Sequence, residues 1–375
     1  MREYQAPPVR FMDLAVPGVS KLQPYVPGKP VAELVREYGV KDAIKLASNE
    51  NPLGPSNMAL AAARDCLPQL ARYPDGSGFT LKTRLAAKLG VDINQITLGN
   101  GSNEILELMA RAFVSPADEV VFSEHAFAVY SIVTQAVGGR ALIAPARAWG
   151  HDLKAMLNLV SERTRLVFIA NPNNPTGTWF DSVSLEGFIS ALPAHVLVVV
   201  DEAYFEYARH AREDYPDAMQ WVMRYPNLVV ARTFSKAYGL AGLRVGFGVS
   251  HPDVADILNR VRQPFNLNSV ALAAAQAALD DQEHLARTLK LNHEGMRQLT
   301  TAFTKMDLEF IPSAGNFVSV DVRRDATSVY EALLYEGVIV RPVAIYGMPQ
   351  HLRVTVGLAH ENERFIGALN KVLNK

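Results

Sequence analysis

The chain has 375 residues, 49% of them hydrophobic and 20% charged, more than one hydrophobic core usually serves, so two lobes are expected. A formal net charge of −1 gives neither a phosphate backbone nor an anionic lipid face much to bind, which argues against nucleic-acid and membrane partners. Cys66 is the only cysteine, excluding an internal disulfide framework and a cysteine-built zinc site. No apolar run approaches the roughly 18 residues of a membrane span, and the first residues lack the apolar core of a signal peptide. A cytoplasmic enzyme is expected.

Residues 1–45 read as an arm, because prolines at 7, 8, 17, 24, 27 and 30 interrupt any long helix. Within it, Pro24-Tyr25-Val26-Pro27-Gly28 reads as an extended segment followed by a turn. Arg72-Tyr73-Pro74-Asp75-Gly76 precedes a helix expected from about Phe79 to Leu89. Ile96 to Gly99 is a strand, followed by the turn Asn100-Gly101 and a helix whose apolar stripe is Ile105, Leu106, Leu108, Met109 and Ala112. Ser102 is expected to cap that helix, and the free N–H groups of Ser102 and Asn103 would bind an anion. The third glycine of a dinucleotide fingerprint is missing, so a phosphate monoester suits the turn better. Val120 to Phe122 is the next strand, leading to His125 and Phe127.

Three apolar runs then have the pattern of strands buried on both faces. Arg165 to Ala170 ends in Asn171-Pro172-Asn173-Asn174-Pro175-Thr176-Gly177. Leu197 to Val200 ends in Asp201-Glu202-Ala203-Tyr204. Leu228 to Ala231 ends in Thr233-Phe234-Ser235-Lys236, with Arg244 following. Ligands of open α/β sheets sit beyond the carboxyl ends of the strands. Here those ends deliver an amide, a carboxylate with a phenol, and a lysine between hydroxyls near an arginine. Desolvation and the nearby cation favour the neutral, nucleophilic amine. The set meets the needs of pyridoxal phosphate: a lysine for its aldehyde, an acid for its ring nitrogen, and donors for its oxygens. Residues 206–226 read as a solvated insert. From about Gln263 the pattern shifts to helices over Val270–Leu279 and Gln282–Phe303, then short strands carrying Arg341 and Arg353. Among the nine histidines no paired metal-ligand spacing occurs, and no metal is expected.

Asn-Asn-Pro-Thr-Gly, Asp-Glu-Ala-Tyr and Thr-Phe-Ser-Lys with its arginine together resemble the fold-type I pyridoxal-phosphate-dependent aminotransferases, from about Leu46 to the C-terminus. The resemblance implies an α/β fold, with a large lobe (46–264) whose mostly parallel sheet lies between helices and a smaller α+β lobe (265–375). It implies that Lys236 bonds the cofactor and moves the substrate proton, and that Asp201 keeps the ring nitrogen protonated. Tyr204 and Asn174 would hold the phenolic oxygen, Phe127 would stack on the ring, and Gly101, Ser102, Asn103, Thr233, Ser235 and Arg244 would anchor the phosphate. Asn103 departs from the aspartate common there, and His125-Ala126 replaces a common Pro-Thr pair. Tyr73 would reach the cofactor phosphate of the other subunit of a homodimer with shared active sites. Pro-Tyr-x-Pro-Gly and the pair Arg341 and Arg353 are similar to the histidinol-phosphate branch, where Tyr25 and both arginines face a substrate phosphate and Arg353 also forks a carboxylate. The implied substrates are histidinol phosphate and glutamate or 2-oxoglutarate. The alternatives are an aromatic amino-acid aminotransferase, a decarboxylase of a phosphorylated amino acid and, from another class, a non-catalytic pyridoxal-phosphate sensor.

Overall fold

The computed structural model describes residues 11–24, 28–40 and 42–374. Seven strands form the main sheet: β1 (Ile96–Gly99), β2 (Glu119–Ser123), β3 (Arg140–Ala144), β4 (Thr164–Ala170), β5 (Leu197–Asp201), β6 (Leu228–Thr233) and β7 (Gly246–Val249). Their order is β1-β7-β6-β5-β4-β2-β3, and only β7 runs antiparallel to its neighbours. The apolar runs are buried on both faces, as expected, and alternate residues feed two cores. Val198, Val200, Leu228 and Val230 face one core, with Leu185 and Phe188 of a covering helix. Val199, Val229 and Ala231 face the other, with Ile105, Leu106 and Met109. The helices that matter below are α1 (Asn57–Cys66), α2 (Phe79–Leu89), α3 (Ser102–Phe113), α4 (Ala128–Ala136), α5 (Ser269–Asp280) and α6 (Gln282–Lys305).

A second sheet, of β8 (Phe310–Ile311), β9 (Phe317–Asp321), β10 (Arg341–Pro342) and β11 (His351–Thr355), has the order β8-β9-β11-β10 and is antiparallel throughout. It packs on a separate core that includes Val318, Leu352, Val354, Phe365 and Leu369. Chain order and packing part company at two places. Helix α5 lies past the expected boundary at 264/265, yet Ala271, Ala274, Ala275 and Ala278 sit in the large-lobe core, because its small side chains let it lie close against α1 and α2. At the other end, Ile44 and Lys45 pair in parallel with Val338 and Ile339 of the small lobe, and Leu34 of the arm packs with Leu334 and Ile339.

Residues 206–226 are not a solvated insert. Tyr207, Tyr215, Trp221 and Val222 are buried, while Arg209 and Glu213 stay outside, so the surface charges masked an apolar layer beneath them. Ser102 is not the cap of α3 but its first residue; Gly101 occupies the cap position at φ 76°.

Candidate active site

Strands β4, β5 and β6 are neighbours, so their carboxyl ends bring Asn174, Asp201, Tyr204, Thr233, Ser235 and Lys236 to one cavity of about 470 Å³. Its walls also include Asn103, Phe127, Arg244, Arg341 and Arg353. Tyr25 lies outside the described residues. Tyr73 is 83% exposed, stacks on Phe265 at 4.8 Å and lines a separate surface groove, so within one chain it does not reach the cavity.

Lys236 Nζ donates to the Ser48 carbonyl at 3.2 Å and lies 5.7 Å from the Tyr204 ring centre. Burial holds its pKa down at about 7; Arg353 and Arg244 act in the same sense, while Glu50 and Asp201 oppose them. An appreciable neutral fraction at neutral pH follows. Asp201, also buried, is pushed up to about 6 by desolvation, against hydrogen bonds from Tyr130 Oη to Oδ2 (3.0 Å) and from the Ala203 N–H to Oδ1 (3.2 Å). Tyr130 is fully buried and stacked on Phe168, with centres 4.7 Å apart, so its hydroxyl is aimed by packing. Tyr204 is pushed up to about 12 by burial, and its oxygen accepts from Asn49 Nδ2 at 2.8 Å and Asn174 Nδ2 at 3.2 Å.

At the cavity's other end, Arg244 adopts φ 55° and donates from Nη1 to Ser235 Oγ and to the Ala241 carbonyl, both at 3.1 Å. A Cβ on Gly101 would sit 2.5 Å from Arg244 Nη2, so only glycine lets the guanidinium close on the first turn of α3. Thr233 also lines the cavity. Its hydroxyl donates to the Val245 carbonyl at 3.3 Å and accepts from the Ser235 N–H at 3.1 Å, which braces the loop from within.

Arg353 and Arg341 stand directly opposite each other on β11 and β10, and both line the cavity. Arg353 Nη1 donates to Asn174 Oδ1 at 2.5 Å and Nη2 to the Ala47 carbonyl at 2.6 Å. Beneath the site, Glu202 accepts from Arg232 Nε (2.9 Å) and Nη2 (2.7 Å), and Arg232 Nη2 also reaches Asp217 at 2.5 Å. This buried pair ties the end of β5 to that of β6.

Sequence reasoning missed Ser48, Asn49, Tyr130 and the Glu202–Arg232 pair. Tyr130 follows Phe127 by three residues at the start of α4, and helical spacing was a usable signal. Asn49 had none, since its partner Thr355 is 306 residues away.

The sheet order, the lysine at a strand end and the lobe that closes the cavity with arginines define an aminotransferase. Residues 41–369 match the family described as aminotransferase class I and II, and the chain belongs to it. It is 62% identical to histidinol-phosphate aminotransferase 2 of Pseudomonas fluorescens over 365 residues, 97% of this chain and 98% of that one. With histidinol-phosphate aminotransferase 1 of Nitrosococcus oceani the identity is 58% over the same shares of the two chains. The crystal structure of histidinol-phosphate aminotransferase from Sinorhizobium meliloti in complex with pyridoxal-5'-phosphate matches with a TM-score of 0.89 at 31% identity, covering 96% of this chain and 97% of that one.

Proposed function

We propose that the chain binds pyridoxal phosphate in this cavity and transfers an amino group between L-histidinol phosphate and 2-oxoglutarate. The residues fit the cofactor. Gly101, the first N–H groups of α3, Ser235 and Arg244 form a cradle for a phosphate that an added Cβ at Gly101 would fill. Gly246 keeps it open from behind, where a Cβ would lie 2.5 Å from the Ser102 nitrogen. Asp201, ionised only against burial, is suited to a cationic partner at its exposed edge. Phe127 would pack against the ring, and Asn174 and Tyr204 would donate to its phenolic oxygen.

Bound there, pyridoxal phosphate supplies a cationic ring that withdraws electrons from the substrate's α-carbon. Asp201 holds the proton on the ring nitrogen. Lys236, its ammonium desolvated, is the nucleophilic amine and then the base that moves the α-proton. Glutamate and histidinol phosphate take turns in one site, so turnover is ping-pong. Tyr73, exposed and stacked on Phe265, would complete the cavity of a second copy, making the working unit a homodimer. We place the reaction in the cytoplasm.

The observation that carries the substrate choice is the cross-strand pair Arg341 and Arg353. Their paired positions and shared cavity wall let both guanidiniums meet one bound anion. A carboxylate occupies one arginine fork; a phosphate monoester, with a charge of about −1.5 to −2, occupies both. Arg341→Ala should raise the barrier for histidinol phosphate by about 1.5–3 kcal/mol, the scale of a hydrogen bond to a charged group, and that for glutamate much less. Steady-state kcat/KM for both donors, with phenylalanine alongside, tests this. Equal losses, or a wild-type preference for phenylalanine, would favour an aromatic aminotransferase.

A further inference from the structure

A phenol has one proton to give and otherwise accepts. At Tyr204 the accepting side is taken by two amides, Asn49 Nδ2 and Asn174 Nδ2. An asparagine amide reverses its polarity by turning over, so what holds each amide decides what Tyr204 does. Both are held from β11. Arg353 Nη1 donates to Asn174 Oδ1, and a guanidinium has no acceptor, so that amide presents its NH2 to Tyr204. Thr355 Oγ accepts the Asn49 N–H at 2.9 Å and gives its single proton to Asn49 Oδ1 at 3.1 Å. The Asn49 amide is thereby turned the same way.

Asn49 is 1% exposed and sits at φ 55°, a left-handed conformation uncommon outside glycine. Its carbonyl accepts from Asn316 Nδ2 at 3.0 Å. Every polar group it carries is used, three of them by Thr355 and Asn316 of the small lobe and the fourth by Tyr204.

We propose that Asn49 is a positioning residue for the transfer reaction: turned by Thr355, its amide commits the Tyr204 hydroxyl to donating into the cavity. The inference rests on the cofactor and reaction proposed above, where that proton stabilises negative charge on the phenolic oxygen. It also gives β11 two tasks. Arg353 meets the substrate's anionic end while Arg353 and Thr355 together fix the polarity of a group at the cofactor.

Asn49→Gly keeps the left-handed backbone and removes the amide. Asn49→Asp keeps the shape and replaces the donor by an acceptor that would draw the Tyr204 proton away from the cavity. In the holoenzyme, Asn49→Asp should move the pH midpoint of the cofactor's visible band upward by about one unit. It should also lower kcat about tenfold while changing the amino-donor KM less than about threefold. Asn49→Gly should do the same to a smaller degree. Combined with Tyr204→Phe, neither substitution should add to the effect of Tyr204→Phe alone, since all act through one hydroxyl. In cofactor-free protein labelled with [4-13C]tyrosine, the Tyr204 resonance, identified as the one lost in Tyr204→Phe, should shift in both Asn49 variants. An unmoved midpoint, or losses that add to those of Tyr204→Phe, would overturn the role. Should Asn49→Gly not fold, the isosteric Asn49→Asp decides by the same criteria. Should the wild type form no visible band with pyridoxal phosphate, the proposed function fails and the tyrosine resonance alone decides; an unmoved resonance then overturns the inference.

Discussion

Burial works against ionisation at both Asp201 and Lys236, in opposite directions of pH. Asp201 binds its proton more tightly in the folded than in the unfolded chain. Its stabilising contribution is therefore complete below its ordinary value of 3.8 and is lost as pH rises through about 6. Replacing it by a neutral amide removes that dependence. In cofactor-free protein, the stability of Asp201→Asn relative to wild type should grow by about 2.4 kcal/mol between pH 4 and pH 7. Urea midpoints across that range measure it, and a flat difference would mean the carboxylate is solvated. Lys236 is the mirror case. Its pKa is depressed to about 7, so its contribution is present above the ordinary 10.5 and lost as pH falls through 7. Borohydride reduction of the protein with pyridoxal phosphate should label Lys236 and no other lysine, as read by peptide mapping. Both residues were legible from sequence because each follows a run of apolar residues that had to be a buried strand. Asn49 was not, because nothing local distinguishes a loop asparagine that meets Thr355 from one that meets water.

At the level of elements, a buried charge pair joins the ends of β5 and β6 in addition to their backbone ladder. Glu202 is fully buried, and burial raises its pKa to about 7 even beside Arg232. Arg232→Met would leave that carboxylate without its guanidinium, and should cost about 3–5 kcal/mol of stability. Adding Glu202→Gln to Arg232→Met should recover a substantial part of it in urea unfolding, while no recovery would mean that Arg232 acts through Asp217 and Phe205 instead. The strands themselves were readable from composition, since a parallel sheet covered on both faces needs uninterrupted Val, Ile and Leu. Segment 206–226 was misread because Arg209, Glu213 and Asp214 sit outside while Tyr207, Tyr215 and Trp221 turn inward, a period that Pro216 and the short 218–221 helix break. Helix α5 packs with the large-lobe core although it lies past the expected boundary, for a related reason. An alanine-rich stripe reports that a helix is closely packed, not which surface it packs on.

For the molecule as a whole, the shared site proposed above, with one chain's lysine and another chain's tyrosine, makes a specific prediction about mixtures. Lys236→Ala homodimers lack the amine in both sites, and Tyr73→Ala homodimers would lack the partner contact in both. Refolding the two together places both defects in one site of each mixed dimer and leaves the other intact, so activity should reappear at about a quarter of the wild-type level. Mixtures no more active than the separate variants would mean that Tyr73 serves its own chain's surface. The arm has a consequence of another kind, in the order of synthesis. Leu46 donates its N–H to the Ile339 carbonyl, and Asn49 waits for Thr355, 306 residues further on. A ribosome adding about 5–20 residues per second exposes Leu34, Leu46 and Ala47 for roughly 15–60 s before their partners exist. The large lobe, complete by Asp280, can form in that interval, whereas the small lobe must take back a segment made before any of its own strands. Leu34, Leu46 and Ala47 are thus made early and placed late, and for that interval an apolar tether is open to chaperones.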